Sequence, residues 1–185
     1  AGNAATQVTR TVQVVPIAIT LTSPDDISVN AVGYLTNVDI GTAIARGGDG
    51  DITVTASRVG PFQSGSHEIV WTAIDSVGSI EKATQMIKVH PLANLCTNML
   101  TTEGSKPEAH IWLSGHAAVY PVMIPFEVSG TAAEGDDYAV TQSGSVTIEE
   151  GTFGTINLNI VADGNAESEE TVQIILGDLV NAARG

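Results

Sequence analysis

Apolar and polar residues alternate with a period of two along most of the sequence. In HEIVWTAID the apolar positions are Ile69, Trp71 and Ala73. Successive side chains of a strand point to opposite faces, so this period indicates strands that bury one face and expose the other. Further sets with the same spacing are Ile52, Val54 and Ala56; Val122, Ile124, Phe126 and Val128; Val146 and Ile148; and Ile156, Leu158 and Ile160.

Clusters of turn-forming residues separate the alternating stretches. RGGDGD, QSGSH and DSVGS combine Gly, Ser and Asp, which are the residues that tight turns prefer. No stretch combines helix caps with an apolar period near 3.6. Aromatic residues make up only 4% of the chain, whereas Val, Ile, Thr, Ala and Gly are abundant, and this balance favours strands joined by turns. The sequence therefore predicts an all-β sandwich.

A weak internal repeat predicts where one unit ends and the next begins. GNAATQVTRTVQVVP, from Gly2 to Pro16, and GSIEKATQMIKVHP, from Gly78 to Pro91, both pass from a glycine through a Thr- and Gln-containing strand to a proline. The second copy reads as the last strand of a domain that spans residues 16–91. By analogy, residues 1–15 are predicted to be the last strand of a preceding repeat. A further domain is predicted over residues 92–185.

Negative charge is concentrated in the second half of the chain. The net charge is -14; residues 1–91 hold eight acids and five Lys or Arg, whereas residues 92–185 hold thirteen acids and two Lys or Arg. Such a surface repels nucleic acid and anionic lipid, so neither is an expected partner. Divalent cations are the expected counter-ions.

Cys96 is the only cysteine, so no disulfide can form within the chain. With the Thr-, Asn-, Gly- and Ser-rich composition, this favours an exported bacterial protein that works outside the cell or at its surface. A reduced cytosolic location stays open. No apolar run approaches the roughly 20 residues that cross a bilayer. No charged-then-apolar leader is present, and we expect any export signal to lie outside this sequence or to have been removed.

Residues 16–91 resemble the hyalin-repeat (HYR) family of extracellular immunoglobulin-like modules. The resemblance depends on SPDDISVNAVG, GTAIARGGDGDITVT and FQSGSHEIVWTAIDSVGS, with His67, Trp71 and Asp75 in its most specific part. It implies adhesion or spacing, with Trp71 as a core residue. The family usually carries a disulfide pair, which this segment lacks. Its GGDGD stretch, Gly47–Asp51, lacks the ligand spacing of an EF-hand and favours a tight turn over a calcium loop.

Residues 100–183 resemble the Calx-beta family, which occurs in sodium–calcium exchangers and in bacterial surface proteins. The matching stretches are GTAAEGDDYAV, SGSVTIEEGTFGTINLNIVADG and AESEETVQIIL, in that order. The two resemblances together imply two tandem immunoglobulin-like β-sandwiches. Asp136 and Asp137 are expected to shape the turn before Tyr138, which a sandwich uses as a corner residue.

The Calx-beta resemblance also implies a calcium site at one end of the second sandwich. Carried over by position, its ligands are Glu103, Asp163, Glu167 and Glu170, whereas Glu169 is expected to face solvent. Calcium takes six to eight oxygen ligands, and binding removes the repulsion between converging carboxylates.

Two departures from the family pattern reduce the expected ligand set. Ser129 and Ala162 stand where the family has carboxylates, and the final strand with its Asp cluster is expected beyond Gly185. The second sandwich is thus expected to lack its last strand, which leaves an open edge. Residues 1–15 of another chain are expected to pair with such an edge, which predicts a strand-exchange homo-oligomer.

Nothing in the sequence indicates an enzyme. The four histidines show no zinc spacing, and no nucleophile elbow, P-loop or dinucleotide fingerprint is present. We expect a non-catalytic adhesion or stalk module of a repetitive bacterial surface protein, with neighbouring domains of the same chain and a cell-surface or matrix ligand as partners. An accessory region of a secreted hydrolase and a calcium sensor are the alternatives.

Overall fold

The structure is a computed structural model, and it describes residues 8–96, 98–164 and 168–185. Across these ranges the chain forms strands joined by turns and loops, with no helix among them, which confirms the predicted all-β class. None of the described ranges holds a helix of the length and apolarity that a membrane span requires. The strands are β1 (Ile19–Thr22), β2 (Ile27–Asn30), β3 (Ile44–Gly47), β4 (Thr53–Ala56), β5 (Gly65–Ile74), β6 (Ile80–His90), β7 (Leu92–Leu95), β8 (Glu108–Leu113), β9 (Val122–Gly130), β10 (Tyr138–Val140), β11 (Ser145–Ile148), β12 (Phe153–Ile160), β13 (Val172–Leu176) and β14 (Ala183–Arg184).

Two sheets form in the first half of the chain. One has the strand order β2–β6–β5–β4, and the other pairs β1 with β3. The antiparallel β5–β6 pair extends from Gly65↔Val89 to Ile74↔Ile80, whereas β2 joins β6 in parallel. Apolar side chains of this half pack into one cluster, called here the N-terminal core: Ala31, Ile40, Ala43, Phe62, Ile69, Trp71, Ile87 and Val89.

Two further sheets face each other in the second half. Their strand orders are β10–β12–β8–β7–β14 and β11–β9–β13. All pairs in them are antiparallel except β7 with β14. Their inward side chains form the C-terminal core: Ala93, Ala109, Ile111, Leu113, Ala117, Val122, Ile124, Phe126, Val146, Ile148, Ile156 and Ala182. Two sheets that enclose one apolar layer are a sandwich-like architecture.

The predicted alternation matches the observed burial. Ile69 and Ala73 are completely buried, and Trp71 is 5% exposed. In β9 the side chain of Ile124 is completely buried, whereas Met123 is 42% exposed. The period of two therefore identified the buried face of each of these strands correctly.

The two cores meet with almost no chain between them. Val89 belongs to the N-terminal core and Ala93 to the C-terminal core. Pro91, which lies between them, is among the fully buried residues, and Leu92 packs against the N-terminal core. The division into domains at residues 91 and 92 stays a prediction, because adjacent cores need not fold independently.

Both ends of the chain depart from a simple strand pattern. Residues 8–15 are exposed and form no strand, since they pair with no other segment that the structure describes. Their assignment to a preceding repeat stays a prediction. At the other end, β14 pairs with β7 over two positions, Ala183↔Leu92 and Arg184↔Ala93.

Candidate functional site

A cleft of about 1170 Å³ opens between the two sheets of the second half. Its apolar wall comes from the inward side chains of several strands. Leu95 is on β7, Ala109 on β8, Leu158 and Ile160 on β12, and Ile174 on β13. The cleft therefore continues the C-terminal core outward to solvent.

Carboxylates surround this cleft. They are contributed by three loops that meet at one end of the sandwich, and the lining residues include no Lys or Arg. Such an arrangement holds a negative potential in a concave, partly apolar space. The six carboxylate residues are Glu103, Asp136, Asp137, Asp163, Glu169 and Glu170.

The loop that carries Glu103 is fastened to the end of β12. The Gly104 N–H donates to the Ile160 carbonyl at 3.1 Å, and the Ile160 N–H donates to the Ser105 carbonyl at 3.0 Å. Gly104 has φ +75°, a left-handed conformation that glycine adopts without strain. These contacts hold Glu103 near the end of β12. Asp163 follows β12 in the chain by three residues, so the two carboxylates lie at the same end of this strand.

Ala162 lies directly beside this loop. A Cβ placed on Gly104 would be 3.5 Å from the Ala162 Cβ, which is ordinary contact distance. The position where the resembling family has a carboxylate is thus adjacent to the Glu103 loop. An acidic side chain at residue 162 would add an oxygen donor to this end of the cleft.

Asp137 organises the loop before β10, as predicted. Its Oδ2 accepts a hydrogen bond from the Ala133 N–H at 2.6 Å, and its own carbonyl accepts one from the Val161 N–H at 2.8 Å. Tyr138, the next residue, is buried, and this burial raises the pKa of its hydroxyl, with a smaller contribution from the negative charge of Glu134. Asp137 therefore organises the turn, and both Asp136 and Asp137 line the cleft.

The start of β13 is tied to the end of β9. The Thr131 N–H donates to the Thr171 carbonyl at 3.0 Å, and the Thr171 N–H donates to Thr131 Oγ1 at 2.9 Å. This reciprocal pair holds Glu169 and Glu170, which immediately precede Thr171, at the cleft. Glu169 is exposed, as expected, and it also lines the cleft.

Three of the four predicted calcium ligands therefore line one cleft: Glu103, Asp163 and Glu170. Glu167 lies outside the described residues. Oxygen-only donors suit calcium. Their placement is looser than a metal site requires, since within the described ranges no three Asp, Glu, His or Cys side chains come together closely enough to hold an ion.

The GGDGD stretch of the first half forms a turn that Asp75 organises. Asp75 Oδ2 accepts a hydrogen bond from the Asp49 N–H at 3.0 Å, and its Oδ1 accepts from the N–H groups of Val77 at 3.1 Å and Ser79 at 2.8 Å. The Asp49 N–H is the main reason that the pKa of Asp75 lies below its ordinary value. The sequence motif that contains Asp75 does not by itself indicate this role.

Tyr120 acts as a corner residue. The Tyr120 hydroxyl donates to the Gly151 carbonyl and accepts from the Ala117 N–H at 3.0 Å. It thereby links the turn before β9 to the turn before β12. The signal available in the sequence was a tyrosine followed by a proline at the start of an alternating strand.

An exposed aromatic patch lies on the outer face of the larger sheet. Trp112 on β8 and Phe153 on β12 are paired across the strands, with ring centroids 4.7 Å apart. They are 53% and 43% exposed, and His110 contacts Phe153 at 5.1 Å between centroids. The neighbouring positions across the strands are polar: Asn94 is paired with Trp112, and Thr155 with His110.

No family model and no curated protein sequence matches the chain. The resemblances to the HYR and Calx-beta families therefore stay predictions.

Proposed function

We propose that this chain is a non-catalytic spacer and adhesion module of an exported, repetitive bacterial surface protein. It would consist of a HYR-like and a Calx-beta-like immunoglobulin-type sandwich in tandem. The observation that carries the proposal is the short junction between Val89 of the N-terminal core and Ala93 of the C-terminal core. A spacer holds its neighbours at a fixed distance only if its domains keep a fixed relative orientation. A buried Pro91 between the cores restricts their relative motion.

One packing contact and one hydrogen bond across the junction support the same proposal. The Leu92 N–H donates to Ser114 Oγ at 2.9 Å, and Leu92 itself packs against the N-terminal core. The Ser66 hydroxyl, on β5, donates to the Ala118 carbonyl at 3.0 Å. Side chains from both halves thus hold the junction at two separate points.

Calcium binding at the acidic cleft is the second part of the proposal. The ligands would be Glu103, Asp163, Glu167 and Glu170. Convergence of their loops at one end of the sandwich supports a cation there, since mutual repulsion is relieved by a divalent ion. For an extracellular module of this kind we expect a dissociation constant of about 10⁻⁴–10⁻³ M.

Calorimetric calcium titration combined with small-angle X-ray scattering tests the proposal. We expect weak binding, and a radius of gyration that changes little because the junction is already held. Glu103→Gln should weaken binding, Ala162→Asp should tighten it by adding a donor beside Glu103, and Glu149→Gln outside the cleft should have no effect. At calcium about 100 times its dissociation constant, the unfolding free energy should rise by about 2.7 kcal/mol.

The outcomes separate the alternatives. Absence of both binding heat and thermal stabilisation would remove calcium and leave a purely structural spacer. A large change in the radius of gyration with a steep calcium midpoint would instead favour a calcium sensor. Scattering that shows two freely swinging bodies, with or without calcium, would overturn the spacer role itself.

The adhesive surface is proposed at the aromatic patch of Trp112 and Phe153. Exposed aromatic patches rimmed by polar groups mark interaction sites, and rings beside the Asn94 and Thr155 side chains suit a ligand with an apolar face and hydroxyl edges, such as a sugar. Trp112→Ala should abolish retention on an immobilised glycan panel. Tyr34→Ala, which removes a different exposed aromatic ring, is the matched control.

A further inference from the structure

An unpaired strand edge borders the acidic cleft. In the described structure β13 pairs only with β9, and its residue Ile175 is 52% exposed. Opposite it, β7 pairs with β14 only at Leu92 and Ala93, so no strand of the described ranges lies beside Asn94 and Leu95 on that side. Unpaired strand edges present free N–H and C=O groups to an incoming strand.

A groove runs between these two edges. A second cleft, of about 380 Å³, is lined by β7, by Ile174, Ile175 and Leu176 of β13, and by Arg184 and Gly185 at β14. It adjoins the acidic cleft through shared residues such as Leu95 and Ile174. The groove therefore has apolar side chains on both walls, Asn94 and Arg184 near β14, and carboxylates at the other end. An extended strand with apolar residues and one cation would complement it.

Residues 8–15 of the chain have this character. Val8, Val12 and Val14 are 91%, 77% and 86% exposed, and their even spacing would place them on one face of the segment once it forms a strand. Arg10 lies in the same row and is the only charged residue before Asp25. The segment is thus an apolar strand with one positive charge, whereas the cleft is an apolar groove with an excess of negative charge.

Geometry prevents the segment from reaching the groove of its own chain. The Ile17 N–H donates to Asp49 Oδ2 at 3.2 Å, and the Asp49 N–H donates to Asp75 Oδ2. Asp75 directly follows Ile74, which is paired with Ile80 at the start of β6, so these bonds hold residue 17 near that end of β6. The junction is at the opposite end of β6, which has eleven residues and is about 34 Å long. Residues 8–16, fully extended, span about 30 Å, so they end short of β7.

We propose that residues 8–15 of one copy insert as a strand into the groove between β7 and β13 of a second copy. Val12 and Val14 lie on the apolar wall, and Arg10 lies at the acidic end, near Glu103, Asp136 and Glu169. Strand addition supplies main-chain hydrogen bonds, and the alternating side chains supply specificity. The contact joins the free end of one first half to the free end of another second half, so it is head-to-tail and can add further copies in succession.

Analytical ultracentrifugation of the full chain over a range of concentrations tests this proposal. We expect oligomers that lengthen with concentration, and monomers when residues 1–15 are deleted. Arg10→Glu should weaken the association about tenfold by turning an attraction into a repulsion. Arg46→Glu, an equal charge change at an exposed position on β3, should leave it unchanged.

A synthetic peptide of residues 1–15 gives an independent measurement. It should bind the deleted chain with one-to-one stoichiometry and protect amides of residues 172–176 from hydrogen exchange. Monomeric sedimentation of the full chain at all concentrations would overturn the proposal. So would oligomers that persist without residues 1–15, since another surface or segment would then be responsible, or peptide binding that leaves β13 unprotected.

Discussion

Gln85 is expected to be one of the most sensitive positions in the N-terminal core. Its side chain is 1% exposed, and its Oε1 accepts a hydrogen bond from the Trp71 indole N–H at 3.1 Å. Its Nε2 donates to the carbonyl of Ile40 at 3.1 Å and to that of Asp25 at 2.8 Å. One amide thus satisfies groups from three separate parts of the chain, and Gln85→Leu removes all three bonds without a large change in volume.

The cost follows from the groups that would be left without partners. The Trp71 N–H and the Ile40 carbonyl are buried, and leaving a buried polar group unpaired costs about 1–3 kcal/mol. The Asp25 carbonyl is only partly buried and regains water. Burial of the more apolar leucine offsets about 1 kcal/mol. We expect a net loss of about 3 kcal/mol, which lowers the melting temperature by about 15 °C in a unit of this size.

Urea unfolding followed by tryptophan fluorescence measures this loss. The chain has two tryptophans, Trp71 in the N-terminal core and Trp112 on the outer face of the second half, so a Trp112→Phe background isolates the first. Gln63→Leu, at an exposed position, is the control and should change stability by less than about 0.5 kcal/mol. A loss below about 1 kcal/mol for Gln85→Leu would refute the reasoning, since the buried groups would then have found other partners.

Three more substitutions probe contacts with the backbone. The Asp49 N–H holds the pKa of Asp75 below its ordinary value, so this carboxylate stabilises the fold above pH 3.8, and the contribution is lost as the pH falls through the lowered pKa. Asp75→Asn should therefore lower the urea midpoint at pH 7. Between pH 7 and pH 3 the urea midpoint of this variant should fall less than that of the unsubstituted chain. Gly130→Ala should destabilise the second half by about 3 kcal/mol or more, because its Cβ would overlap the Thr171 carbonyl oxygen. Gly135→Ala, at a positive φ but in open space, should cost only about 1 kcal/mol. Equal losses at the two glycines in differential scanning calorimetry would contradict the overlap argument.

The buried faces were predictable because burial follows a local pattern. In β5 the alternation placed Ile69, Trp71 and Ala73 on the core side, and this requires only neighbouring residues. The same pattern places Gln85 in the inward row of Ile87 and Val89, which was a usable signal for a buried amide. Its partners were not predictable, since Asp25 is 60 residues away and the contact depends on the parallel β2–β6 pairing.

The candidate site was less accessible to sequence reasoning. Alternation indicated strands, and the charge count indicated an acidic second half. Only the family resemblance linked Glu103 with Asp163 and Glu170. Those residues come from separate loops, and their common cleft depends on how the loops attach to β12 and β13. The contribution of Asp136 was missed for the same reason, because a residue assigned to a turn can still line a cleft.

The parallel strand pairs determine how the chain responds to tension. β2 pairs with β6 over four positions, and β7 with β14 over two. A pull that separates the start of β2 from the end of β6 acts along the strands, so all hydrogen bonds of the pair share the load. In the second half, a pull that separates the start of β7 from the end of β14 also acts along the strands, but only two paired positions resist it. The second half should therefore extend first under force while the first half stays folded, so the chain would lengthen in two steps.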